Sequence, residues 1–196
     1  PDSSETEMCD HIDRISQDYD IVLAADFGHG TIDQKLVESI TNRTNLLSVM
    51  TQTNSANAGF NLITKYPRAD YVCVNGPELR LASGNKFGDL KRISRDISRR
   101  LGCQSMVVTL GHQGLMVVTP ESEPFHIPVF SQEVKDRVGA GDSVFAMTSA
   151  CVAAGLPAEL IGFVGNAVGS LAVRIVGNKS YVEPAPLYKY ITTLLS

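Results

Sequence analysis

Gly139-Ala140-Gly141-Asp142 runs directly into Ser143 to Ala154, a small and apolar segment with the composition of a buried helix. An apolar strand-like run, Phe125 to Phe130, and a short polar link precede it. Glycine on either side of alanine lets a backbone turn tightly and approach a ligand closely. The first amides of a helix lack intrahelical acceptors and carry partial positive charge, so the turn is suited to an anion. Asp142 sets a carboxylate beside any anion held there. Like charges repel, so the anion would need a cation, or the carboxylate has chemical work. That work would be general base toward a hydroxyl attacking a phosphate. A glycine turn with an ordinary acidic cap accounts for the same four residues, and the rest of the chain has to separate the two readings.

Upstream, Ile21 to Ala25 is continuously apolar and ends in Asp26-Phe27-Gly28-His29-Gly30, the pattern of a buried parallel strand with a glycine-rich exit. A helix capped by Asp33 extends to Ile40, and a strand covers Leu46 to Met50. A polar loop, Thr51 to Asn57, leads to a helix from about Ala58 to Lys65 closed by Pro67. Tyr71 to Val74 is the next strand, Pro77 opens a helix through Leu81, and another runs from Leu90 to Leu101 before Gly102. Strands alternating with helices at this spacing predict an α/β fold, a mostly parallel sheet covered on both faces. Met106 to Leu110 and Leu115 to Val118 flank Gly111-His112-Gln113-Gly114, a hairpin signal, and with Phe125 to Phe130 give the sheet an antiparallel edge. Residues 141–154 and 158–176 read as two apolar helices, Leu187 to Leu195 as a third, and residues 1–19 as a polar surface helix with a frayed start.

With 196 residues, 43% hydrophobic and 19% charged, the chain has material for one well-filled domain, and no linker or repeat divides it. A net charge of -4 argues against a nucleic-acid partner, and Lys91, Arg92, Arg95, Arg99 and Arg100 read as the wet face of one helix. No uncharged apolar run is long enough to span a membrane. Cys9, Cys73, Cys103 and Cys151 are widely spaced and read as reduced thiols of a cytoplasmic protein. Two glycosylation-type triplets, at Asn42 and Asn178, then carry no weight. His11, His29, His112 and His126 lack metal-ligand spacing. Gly28-His29-Gly30 has no third glycine, which disfavours a dinucleotide-dependent oxidoreductase.

Asp26, Asn75 and Thr109 fall at the C-terminal ends of expected strands, the edge where open α/β sheets bind ligands. Asn75-Gly76-Pro77-Glu78 is either a capping box or an amide and carboxylate that orient water around magnesium. Thr109-Leu110-Gly111-His112-Gln113-Gly114 is either a hairpin turn or a cradle for nucleotide phosphates.

Taken in order, N-x-x-E, T-L-G-x-x-G and D-x-x-G-A-G-D before a buried helix, the chain resembles the ribokinase-like (PfkB-type) carbohydrate kinases. Asp136-Arg137-Val138-Gly139-Ala140-Gly141-Asp142 is similar to their C-terminal signature, with Arg137 in place of a small hydroxyl residue. The resemblance implies a three-layer sandwich and ATP-dependent phosphorylation of a sugar or sugar phosphate. Asp142 would be the base, with Gly139, Ala140 and Gly141 forming the anion hole together with the Asp142 amide. Asn75 and Glu78 would organise Mg2+ through water, and Thr109, Gly111 and Gly114 would contact the triphosphate. Val138 and Asn166, with Ala167, would line the adenine pocket. Asp26 and His29 would lie on the sugar side, where Asp26-Phe27-Gly28-His29-Gly30 looks most like members acting on phosphorylated heptoses.

The resemblance covers about Ile21 to the C-terminus, roughly the last two-thirds of such a kinase. The family's glycine-rich first signature, first strands, most sugar contacts and β lid have no counterpart in these residues. The expectation is therefore a partial domain carrying the nucleotide and catalytic-base portion, with Ile21 to Ala25 as an open edge that self-associates or takes strands from a partner. A nucleotide-binding or subunit-interaction module without turnover is the competing reading.

Overall fold

The computed structural model describes residues 3–53, 57–177 and 179–196. Residues 1–2 of the frayed start, 54–56 of the polar loop, and Asn178, the first residue of a glycosylation-type triplet, lie outside the described residues.

The elements follow as α1 (Ser3–Ile15), β1 (Val22–Asp26), α2 (Gln34–Arg43), β2 (Leu47–Thr51), β3 (Tyr71–Asn75), α3 (Gly76–Ser83), α4 (Leu90–Leu101), β4 (Ser105–Thr109), β5 (Leu115–Val118), β6 (Phe125–Ile127), α5 (Ala140–Ala153), α6 (Ala158–Ala172) and α7 (Pro184–Leu195). The six strands form one sheet in the order β1-β2-β3-β4-β5-β6. β1 to β4 pair in parallel, and β5 and β6 add antiparallel.

Alternation along the strands divides the core between two faces. Val72, Val74, Met106 and Val108 pack toward Leu36, Val37 and Ile40 of α2, Leu79 of α3, and Ile93 and Ile97 of α4. Tyr71, Cys73, Val107, Leu115 and Val117 face Val144 and Phe145 of α5 and Ile161 of α6. Helices thus cover both faces, giving three layers. The Tyr71 hydroxyl, fully buried, donates to Thr148 Oγ1 at 2.6 Å, and that hydroxyl donates to the Val144 carbonyl. This fixes α5 on β3, and α5 carries the glycine turn.

β1 departs from the pattern of its neighbours. All five residues of β2 are buried, whereas Leu23 is 41% exposed and Ala25 is also exposed, on the face opposite Ala24 and Asp26. Among the described residues β1 pairs only with β2, so its outer edge is open.

Four expected boundaries shift. In place of a helix at 58–65 there is one 3-10 turn, Ile63–Lys65. The Asn61 amide is drawn instead to the carbonyls of Asp26 and Gln52, a competing use of a polar side chain. β6 stops at Ile127 because Pro128 has no N–H to donate, and Asn166 Nδ2 takes the Pro128 carbonyl at 2.6 Å. α6 ends at Ala172, not 176, where the Val173 carbonyl turns to the amides of Lys135 and Asp136. α7 begins at Pro184, a proline suited to a first turn.

Candidate active site

Gly139 ends the loop before α5 with φ 76°, a left-handed conformation that disfavours a side chain, and it caps the helix without a side-chain hydrogen bond. The Ala140 amide bonds back to the Arg137 carbonyl at 3.3 Å, and Ser143 begins the helical ladder on Gly139. Among the described residues no backbone carbonyl accepts from Gly141. Asp142, in the first turn, is half-buried. Burial pushes its carboxyl above the usual range, with its own amide acting in the opposite direction. Gln52 Nε2 donates to Asp142 Oδ1 at 3.1 Å.

The capping box expected at β3's end is formed. Asn75 Oδ1 accepts from the Glu78 amide at 2.8 Å, and Glu78 Oε2 accepts from the Asn75 amide at 3.1 Å. The other carboxylate oxygen, Oε1, accepts from the Thr53 amide at 3.1 Å, so the loop after β2 is tied to α3. Burial raises the Glu78 carboxyl while these backbone donors hold it down. No lysine or arginine pairs with Glu78 or Asp142 among the described residues. Cys73, buried on β3 with Glu78 and Asp142 nearby, has its thiol pushed up to about 12, chiefly by burial, and is not a nucleophile at neutral pH.

The β4–β5 hairpin carries Thr109 at the end of β4, and the Leu110 amide donates to the Gly114 carbonyl at 2.8 Å across the turn. Gly114 has a structural reason of its own: a Cβ there would strike the Ile127 carbonyl. A Cβ on Gly111 would meet nothing within 4 Å.

These groups surround one cleft of about 1060 Å³ at the C-terminal edge of the sheet. It brings together Asn75, Glu78, Thr109, Gly111, Gly114, Val138, Gly139, Ala140, Gly141, Asp142 and Asn166. Asp26 and His29 are not among its walls. Strand alternation turns Asp26 to the other face, where its carboxylate accepts from Tyr66 Oη at 2.9 Å and from the Gly28 amide at 3.0 Å and pairs with Lys65. Phe27, between them, does line the cleft, and the exposed His29 ring stacks on it at 6.5 Å. Residues not singled out from sequence, Gln52 and Thr53 above all, come in because the exit of β2 lies between β1 and β3. Their only signal was that position, in a loop that looked merely polar.

A model of the pfkB family carbohydrate kinases matches residues 11–184. The chain belongs to this family. Among curated relatives, the bifunctional protein HldE of Nitrobacter winogradskyi is 29% identical over 161 residues, covering 81% of this chain and 32% of that protein. This pfkB-family chain thus spans about a third of that relative's length. A mutant of phosphofructokinase-2 from Escherichia coli superposes with a TM-score of 0.80 at 17% identity, over all of this chain and 63% of that one. Ribokinase of Arabidopsis thaliana, solved with ribose and ATP, superposes with a TM-score of 0.74 at 19% identity, over 93% of this chain and 59% of its own. At these identities the structures establish the ribokinase-like fold.

Proposed function

We propose that the cleft transfers the γ-phosphoryl group of ATP to a hydroxyl of a sugar or sugar phosphate, with Asp142 as general base. The observation that carries this reading is the meeting of the half-buried Asp142 carboxylate with the glycine turn at the start of α5 in one cleft. The amides of Ala140, Gly141 and Asp142 would receive the charge that develops on the transferred group. Thr109, Gly111 and Gly114, which line the cleft, would contact the triphosphate, and Val138 and Asn166, also in its walls, would line the adenine. Asp26 belongs to the acceptor side by holding the Phe27-Gly28 turn, and His29 by its exposed ring. A positioned base contributes about 10²–10⁴ in rate and an oxyanion-type donor about 10²–10³. Phosphoryl transfer asks the protein mainly for this kind of placement.

Mg2+ fits the residues present. Glu78 and Asp142 are carboxylates raised by burial and unpaired with lysine or arginine among the described residues, an environment that a cation relieves. Asn75 and Glu78 would hold it through water, and the ion would supply charge neutralisation along the phosphates.

A second reading is that these residues by themselves bind nucleotide without turnover. It is favoured by the acceptor side, where Asp26 is consumed by Lys65 and Tyr66 and the outer edge of β1 is open. Strands from a second copy or from additional chain would complete that edge. Four widely spaced cysteines suit a reducing compartment, which we take to be the cytoplasm.

Thermal melting with and without Mg-ATP or Mg-ADP tests nucleotide binding. Saturation at 100 times Kd stabilises by about 2.7 kcal/mol, and no shift at millimolar nucleotide overturns the reading. ADP release across a sugar and sugar-phosphate panel then separates kinase from silent binder, and Asp142→Asn should abolish most turnover while leaving nucleotide affinity unchanged or tighter.

A further inference from the structure

We propose that Gln52 is a positioning residue that holds the Asp142 carboxylate in one orientation, reserving Oδ2 as the proton acceptor. The proposal rests on Asp142 being the base. Gln52 lies 90 positions from Asp142 in sequence, and its Nε2 donates to Oδ1 at 3.1 Å. Beyond the end of β2 its backbone is nonetheless tied on both sides. The amide donates to the Asp26 carbonyl at 2.8 Å, and the carbonyl accepts from Asn61 Nδ2 at 3.1 Å.

Asn61 is itself buried and held. Its Nδ2 also reaches the Asp26 carbonyl at 2.9 Å, and its Oδ1 accepts from Lys65 Nζ at 2.8 Å. The next residue after Gln52, Thr53, donates its amide to Glu78. A side chain launched from so constrained a backbone starts from a fixed place, so only its own torsions remain to be ordered in reaching Asp142.

The chemistry of the donor matters as much as its placement. An aspartate's terminal torsion is broad, so an unheld carboxylate would present either oxygen. One hydrogen bond to Oδ1 removes that ambiguity. A carboxamide has no proton to yield at neutral pH, so it does not compete with the attacking hydroxyl. Lysine or arginine at this place would depress the carboxyl far more strongly and weaken the base. The other titratable groups around Asp142 are Cys73 on β3, Glu78 on α3, and Arg137 and His112 on the cleft wall. Among the described residues Gln52 is the side-chain donor to the carboxylate.

Titration of the Asp142 carboxyl by 13C NMR, on the full chain labelled at aspartate and assigned with Asp142→Asn, tests this. Gln52→Leu removes the donor and should raise the Asp142 midpoint by about half to one pH unit. Gln52→Glu, nearly isosteric, replaces the donor with a like charge and should raise it further. It also serves if the leucine variant fails to fold. A midpoint unmoved in a folded variant overturns the proposal. Full sugar-dependent turnover in Asp142→Asn would instead overturn the base reading while leaving the measured Gln52 coupling in place.

Discussion

The Gly177 amide donates to Asp136 Oδ2 at 2.7 Å, joining the loop that begins the glycine turn to residues beyond the end of α6. The other oxygen of Asp136 accepts from the Val138 amide at 3.1 Å, within the turn itself. Nearby, the Val173 carbonyl accepts from the amides of Lys135 and Asp136 at 2.8 and 3.0 Å. The turn facing the cleft is therefore held from behind by the C-terminus of α6, and not only by its own glycines.

Asp136→Ala should loosen this hold. The Val138 and Gly177 amides lower the Asp136 carboxyl below its ordinary 3.8. A carboxyl lowered by folding contributes stability above its unfolded value, and that contribution disappears as pH falls through the folded value. The variant should melt below wild type at pH 7, the gap closing as pH drops below 3.8. Its nucleotide affinity should fall by about 3- to 10-fold, roughly one lost hydrogen-bonded anchor. Melting curves across pH and nucleotide titration check both; a gap that persists undiminished in acid contradicts the electrostatic account.

Asp142 and Glu78 have the opposite sign. Burial raises both carboxyls above their ordinary 3.8 and 4.5, so the folded state holds protons that the unfolded chain has released. Stability attributable to them falls as pH rises through that window. Asp142→Asn cannot ionise, so it should melt above wild type at pH 7 and approach it near the acid end. Calorimetry at several pH values decides this, and a variant less stable than wild type at pH 7 would mean that Asp142 is a structural cap.

The two glycines of the hairpin should respond differently to alanine. Gly111 has φ 60° with open space around a Cβ, so Gly111→Ala carries only the left-handed cost of about 1–2 kcal/mol. Gly114, at φ 101°, would also drive its Cβ into the Ile127 carbonyl, backbone that cannot swing aside. Gly114→Ala should cost about 3 kcal/mol or more. Urea denaturation measures both, and equal losses would refute the steric distinction.

The open edge of β1 should show in solution. Leu23 at 41% and Phe27 at 40% exposure lie beside unpaired strand amides, the combination that invites another strand. The chain on its own should self-associate, and Leu23→Lys should reduce this by placing charge on the exposed face. Size-exclusion chromatography with light scattering gives the answer; a monomer at high concentration would remove the argument for strand addition.

Most of the architecture was legible in the residues because it depends on local chemistry. Asp33 caps α2 as a short polar side chain does, Gly102 closes α4, and the Gly111–Gly114 stretch turns the hairpin. The glycine turn before a buried helix, and the N-x-x-E box, are likewise written in adjacent positions. The lost helix at 58–65 was not legible, because Asn61 is diverted by carbonyls at Asp26 and Gln52 that only the folded sheet brings near.

The same division runs through the site. By itself the sequence determined the residue types that line the cleft: the Gly139 turn, Asp142, and the Asn75/Glu78 pair. Tertiary structure alone decided their surroundings. It turned the Asp26 carboxylate away from the cleft, because side chains alternate along β1 and Lys65 and Tyr66 wait on the other face. It also brought Gln52 to Asp142, because β2 lies inside the sheet and its exit must pass the start of α5. Spacing along a chain records which groups a turn or a helix holds together, while contacts across strands depend on sheet order, which no single stretch of sequence contains.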